Sequence, residues 1–205
     1  MTFVIYVAIF AISYLLGSVP FGYIVVKIFT GKNILEHGTG NVGTMNTHRT
    51  TNNKFLTLLV LCGDLLKGYL AYLIALYIGI WSSSLIILCL SIAGFALILG
   101  HNYSIFLKFK GGKGLAAGAG FLLGINPILV LAWVTAFLIV VLISKYMVLG
   151  QMIASLIVPI VAYFIDYSVF LITIPLCILV VIKHAPRMKK VIDGTEPKMY
   201  YKIKN

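Results

Sequence analysis

Residues 3–29 contain hardly a side chain that prefers water. At about 1.5 Å per residue, a helix of that length outruns the ~30 Å hydrocarbon layer of a bilayer. Further apolar runs cover 55–81, 85–107, 128–143, 147–165 and 169–182. No soluble core of this size could hide them. Hydrophobic residues make up 61% of the 205 and charged residues 10%, where a soluble domain carries about 25% charged. Mean hydropathy is +1.06. A soluble enzyme, a disordered chain and a secreted disulfide scaffold are excluded. The runs are unbroken, unlike the alternating strands of a membrane barrel. The expected class is an all-α polytopic membrane protein, a single integral-membrane domain over 1–205.

The runs are interrupted at informative places. Gly17-Ser18-Val19-Pro20-Phe21-Gly22 predicts a kink inside the first span. Residues 33–53 are polar, and Trp81 with three serines closes the second run. Residues 115–125 are small and apolar but too short to span alone. They form either a half-helix or one kinked span with the run after Asn126-Pro127. Asp166 separates the last two runs, and a strongly basic tail occupies 183–205. This gives seven helical segments. Cys62, Cys89 and Cys177 sit far apart in apolar runs and read as small buried hydrophobes. The first run has no basic stretch before it and exceeds the core of a cleaved leader, so it reads as a span.

Net charge is +11, from 16 Lys+Arg against 5 Asp+Glu. In a membrane chain this points first to positive-inside topology, and next to anionic lipid or substrate rather than nucleic acid. The basic residues cluster at 27–54, 108–113, 145 and from 183 onward. The loops near 82–84, 126 and 166 carry none. The expected arrangement has the N-terminus outside and the C-terminus in the cytoplasm. Every polar or glycine-rich motif then sits on the cytoplasmic face. An enzyme joining a water-soluble substrate to a lipid needs its groups there, whereas a transporter needs them at midplane.

Two clusters suit anion binding. Lys110-Gly111-Gly112-Lys113-Gly114 precedes the small-residue segment. Consecutive glycines let backbone N–H groups converge, a helix N-terminus adds positive potential, and lysines add charge. The spacing is not that of a Walker loop. A basic turn for lipid headgroups is the plain alternative. Upstream, Thr39-Gly40-Asn41-Val42-Gly43-Thr44-Met45-Asn46 leads to Arg49. Arg49 can grip a phosphate with its planar fork, and the Thr39 hydroxyl can donate to one. The alternative is a capped, ordered loop.

The remaining polar residues are fewer. His101 before the lysine cluster and His184 in the tail are candidates to deprotonate an attacking hydroxyl, or else structural hydrogen-bonders. Asp64 and Lys67 share a helical face; they neutralise each other as a structural pair bracing the site, or else, as an intramembrane ion pair, take part in function. Glu196 either neutralises a nearby cation or is a solvated tail charge.

Three motifs in order resemble the bacterial acyl-phosphate:glycerol-3-phosphate acyltransferases of the PlsY type. GTGNVGTMNTHR (38–49) is similar to the family's SGNVGATN…R. GHNYSIFLKFKGGKGLA (100–116) matches closely, and KHAPRMKKVIDGTEPK (183–198) is similar to RHRENIKRLLxGxEPK. GSVPFGYI (17–24) and DLLKG (64–68) also look like the family. The resemblance covers essentially the whole chain. It implies a multi-pass enzyme of the bacterial cell membrane, with seven helices and a cytoplasmic active site. The implied reaction moves a fatty acyl group from acyl phosphate to the 1-hydroxyl of glycerol 3-phosphate, without metal or cofactor. It also implies roles. His184, Thr39 and Arg49 are catalytic. Gly40, Asn41, Asn46 and His101 bind substrate, as do the loop Lys110, Gly111, Gly112, Lys113 and Gly114, and Lys183 with Glu196. Two departures stand out: Lys183 replaces an arginine, and Arg187 replaces an asparagine. A diverged relative with another acceptor or no catalysis, and a transporter of a phosphorylated solute, are the alternatives.

Overall fold

The structure is a computed structural model that describes residues 2–82 and 85–198. Among them every regular element is helical: α1 (Thr2–Ser18), α2 (Phe21–Thr30), α3 (Thr44–Thr51), α4 (Lys54–Trp81), α5 (Ile86–Asn102), α6 (Leu115–Ile125), α7 (Pro127–Ser144), α8 (Met147–Ile165) and α9 (Tyr167–Ile192). Single 3₁₀ turns occupy Ile34–Glu36 and Ile105–Leu107. Six stretches are long and apolar enough to cross a membrane; Thr2–Thr30 is one of them, and α6 is shorter. Counting α6, these are the seven expected segments. Large apolar side chains point outward along them, among them Phe3, Ile143 and Phe164. In water such surfaces would aggregate; in lipid they are solvated. The chain is a multi-pass membrane protein.

The chain divides into two compact units, Met1–Ile125 and Asn126–Asn205. In the first, α1 packs on α5, and α4 packs on α5 and α6. Glycines make the α1–α5 and α4–α6 contacts close. A β-carbon on Gly17 would fall on the Leu97 carbonyl, and one on Gly100 on the Tyr14 carbonyl. Gly68 and Gly120 stand in the same relation to Ala117 and Leu65. Lipid offers no hydrophobic drive for helix pairing, so close backbone packing supplies the attraction. The expected break falls at Val19-Pro20, between α1 and α2.

In the second unit, α8 packs against both α7 and α9. Each helix has a local reason to start or stop. The Asn126 side chain accepts from the Ile128 N–H, with Pro127 in the first turn of α7. Lys145 ends α7 in the left-handed region at φ 64°. Asp166 caps α9 by accepting from the Ser168 N–H at 2.6 Å. Trp133 Nε1 donates to Ser155 Oγ at 3.1 Å, tying α7 to α8.

The polar stretch 33–53 folds a 3₁₀ turn and α3. The Gly43 carbonyl accepts from the Asn46 and Thr47 N–H groups to start α3, and Asn52 ends it in the left-handed region. One expectation is corrected: the tail does not begin at 183, since α9 continues to Ile192. Lysines there extend a helix readily and suit the negative end of its dipole. Of the serines after Trp81, residues 83 and 84 lie outside the described residues, as does the tail from 199.

Candidate active site

In the first unit, both glycine-rich motifs are anchored to one apolar plug. Ile34, just before the first motif, and Val42, inside it, are buried with Leu107 of the second and Val26 of α2. The first motif then folds around Asn46. Its Oδ1 accepts from the Thr39 N–H at 2.8 Å, and its Nδ2 donates to the His37 carbonyl at 3.0 Å. Gly38 and Gly40 turn the chain at φ 60° and 67°, a region costly to any β-carbon. Asn41 Oδ1 accepts from the Gly43 N–H at 2.8 Å. The two asparagines expected to bind substrate thus have amide groups that shape the loop. Thr39 on the loop and Arg49 on the last turn of α3 are exposed.

The second motif leaves α5 at His101 and Asn102, both buried. Ser104 Oγ donates to the Ser18 carbonyl at 2.6 Å, and Tyr14 Oη to the Tyr103 carbonyl at 2.9 Å. Lys108 and Phe109 both take positive φ, reversing the chain. The Gly112 N–H donates to the His101 carbonyl at 2.9 Å. Gly114 turns at φ 81°, and its carbonyl accepts from the Gly118 N–H as α6 begins. Lys110 is exposed and Lys113 half-buried. The glycine loop therefore delivers two lysines to the N-terminus of an eleven-residue helix, an arrangement that attracts phosphate.

Behind this loop lies a buried ion pair. Lys67 Nζ is 2.8 Å from Asp64 Oδ1, and both side chains are almost fully buried. Lys67 also donates to the Val19 carbonyl at 2.9 Å, at the α1–α2 break. His101 Nδ1 is 3.8 Å from the same Asp64 oxygen.

The third motif belongs to the second unit. His184 is fully buried on α9. Its Nδ1 donates to the Val180 carbonyl at 2.7 Å, and its Nε2 meets the Gln151 amide at 3.1 Å. Both ring nitrogens are engaged. Arg187 grips Glu196 with two nitrogens, and Glu196 is buried. The Thr195 and Glu196 N–H groups both donate to the Lys190 carbonyl at 2.9 Å, wrapping the segment back on the helix end. Lys183 is half-buried. Lys198 stands over the Tyr146 ring, 5.9 Å from its centre. Lys145, Tyr146, Thr195 and Lys198 line an open cavity of about 730 Å³. Among the described residues, no three His, Cys, Asp or Glu side chains cluster as metal ligands.

Sequence reasoning missed Gln151 and Ser104. A glutamine on an apolar helix and a serine in a polar turn carry no signal by themselves.

Residues 7–194 match the family described as Glycerol-3-phosphate acyltransferase. The chain is 35% identical to the glycerol-3-phosphate acyltransferase of Staphylococcus saprophyticus, over 92% of this chain and 95% of that one. It is 36% identical to that of Bacillus subtilis, over 92% and 94%. Its fold is similar to crystal structures of PlsY (YgiH), an integral membrane glycerol 3-phosphate acyltransferase. The glycerol 3-phosphate form gives a TM-score of 0.81 at 28% identity, covering 94% of each chain. The lysophosphatidic acid form gives 0.80. The chain belongs to the glycerol-3-phosphate acyltransferase family.

Proposed function

We propose that this chain transfers a fatty acyl group from acyl phosphate to the 1-hydroxyl of glycerol 3-phosphate, releasing phosphate and lysophosphatidate. The observation that carries this reading is the juxtaposition in the first unit. A lysine-flanked glycine loop opens a helix, and the first motif, with Thr39 on its loop and Arg49 on α3, is anchored to the same apolar plug.

The chemistry asks little of the protein. An acyl phosphate is already an activated mixed anhydride. The acceptor oxygen attacks the carbonyl carbon, the carbon–oxygen bond to phosphate breaks, and phosphate leaves with the electron pair. The protein binds two anions, aligns the hydroxyl and stabilises charge developing on the carbonyl oxygen. Lys110, Lys113 and Arg49 supply the charge in this reading. Thr39 supplies a hydroxyl beside the reacting groups. Within the second unit, Lys183 adds a cation to the third motif, and buried Glu196 pairs with Arg187.

The hydroxyl proton has two destinations, His184 or a phosphate oxygen of the substrate. The engagement of both His184 nitrogens favours the phosphate. The chain acts as one domain over 1–205 in the bacterial cell membrane. Its chemistry faces the cytoplasm, as the distribution of Lys and Arg supports.

Purified protein in detergent, given palmitoyl phosphate and labelled glycerol 3-phosphate, should form labelled lysophosphatidate. Palmitoyl-CoA should not replace the acyl phosphate. No product with acyl phosphate, or equal rates with both donors, would overturn the reading.

A further inference from the structure

Gly112 lies in the loop assigned above to phosphate, and the usual reason for a glycine there is close approach of the ligand. The structure gives it a different neighbour. A β-carbon on Gly112 would fall on Nε2 of His101. The Gly112 N–H is already committed to the His101 carbonyl at 2.9 Å, so this amide is not a phosphate donor. A β-carbon on Gly111 would fall on the same carbonyl. The loop therefore rests on His101, backbone and ring together.

His101 is itself buried beside the ion pair. Its side chain is 5% exposed, and Nδ1 is 3.8 Å from Asp64 Oδ1. That distance is within electrostatic reach though beyond a direct hydrogen bond. Asp64 is fixed by Lys67, which also grips the Val19 carbonyl at the α1–α2 break. The chain of contact runs from the helix break, through the buried pair, to the imidazole and onto Gly112.

We propose that His101 is a positioning residue: it backs the glycine loop and sets where the loop's remaining donors stand, with Asp64–Lys67 fixing the imidazole. This inference rests on the acyl-transfer reading for its kinetic arm alone. It changes the role given to His101, from touching substrate to shaping what does. It also assigns Gly112 to His101 rather than to the ligand.

The test is a double-mutant cycle. Gly112→Ala should raise the glycerol 3-phosphate KM about tenfold with kcat changed about twofold or less, as expected of a displaced binding loop. In a His101→Ala background, adding Gly112→Ala should change KM by less than about twofold, because the clash is gone. The same pattern should appear in thermal unfolding: Gly112→Ala lowers Tm when His101 is present and leaves it unchanged when His101 is absent. If His101→Ala does not accumulate, His101→Ser, which ends where the ring begins and lacks the Cδ2, Cε1 and Nε2 atoms that would meet the β-carbon, serves instead. Equal increments in both backgrounds would overturn the inference, since the β-carbon would then be meeting the ligand or another wall. If the wild type turns over no glycerol 3-phosphate, the functional reading falls, and the unfolding cycle still judges the packing claim.

Discussion

Arg187 closes on Glu196 with two guanidinium nitrogens: Nε donates to Oε2 at 3.2 Å, and Nη2 donates to Oε1. The resemblance places an asparagine where Arg187 stands, so an added charge raised the question of a changed acceptor. The structure uses that charge internally. The carboxylate is buried while the arginine is partly exposed. The pair fastens residues 195–196 to the end of α9, alongside their hydrogen bonds to Lys190.

Removing one partner of this pair leaves a buried charge uncompensated. Arg187→Ala should destabilise the protein by about 3 kcal/mol, the low end for a broken buried pair. The Arg187→Glu and Glu196→Arg single variants should each lower Tm, and their combination should recover most of the loss. Thermal unfolding in detergent decides it. A double variant no better than the singles would mean that the pair contributes little.

Arg49 separates charge from geometry. Its guanidinium can clamp a phosphate with two parallel hydrogen bonds, and lysine keeps the charge without the fork. One charge-assisted hydrogen bond is worth about 1.5–3 kcal/mol, so Arg49→Lys should lose roughly tenfold to a hundredfold in kcat/KM. Arg49→Ala should be worse. Both should insert normally, because Arg49 is exposed. Full activity of the lysine variant would reduce the residue to general electrostatic attraction.

Topology can be read by labelling. Single cysteines replacing Met45 or Lys190, in a chain freed of Cys62, Cys89 and Cys177, should react with an impermeant maleimide only after the cytoplasmic side is opened. Cysteines replacing Trp81 or Tyr167 should react on intact cells. All four positions are exposed on the protein. Reaction at Met45 from outside would reject a cytoplasmic active site.

Asp166 gives a pH dependence. Hydrogen bonds from the Ser168 side chain and then its N–H hold the carboxyl below the usual carboxylate range, with Val169 adding less. The folded value lies below the unfolded one, about 3.9. The stabilisation is therefore present above pH ~3.9 and is lost as pH falls through the folded value. Asp166→Asn keeps a helix cap while removing the titration. Its Tm should fall less steeply than the wild type's between about pH 5 and 3. Parallel curves would show that the carboxylate charge is not what holds the start of α9.

The membrane helices were legible because the bilayer imposes a length that a run of apolar residues either meets or does not. The break at Val19-Pro20 and the start of α7 at Asn126-Pro127 were legible for a similar reason. Proline restricts its own φ and its predecessor, and asparagine caps from one residue away. The glycine loop was legible as a break between helices, since the small apolar segment after it does go on to form α6. The extent of α9 was not. Basic residues are compatible with tail and helix alike, and the return of Thr195 and Glu196 onto Lys190 fixes where the helix stops.

By itself, then, the sequence determined what acts locally or through the solvent: which segments span, where they break, and where the basic residues cluster. Tertiary structure alone decided how the polar side chains are used. Asn46 became the staple of its own loop, meeting His37 nine residues away. His184 became buried against Gln151, 33 residues distant. Gly112 became the seat of His101, because an α5 side chain and the glycine loop compete for one space. A histidine, an asparagine or a glycine has the same chemistry wherever it occurs. Whether that chemistry faces a substrate or a neighbour depends on helix packing, which joins residues that no local pattern relates.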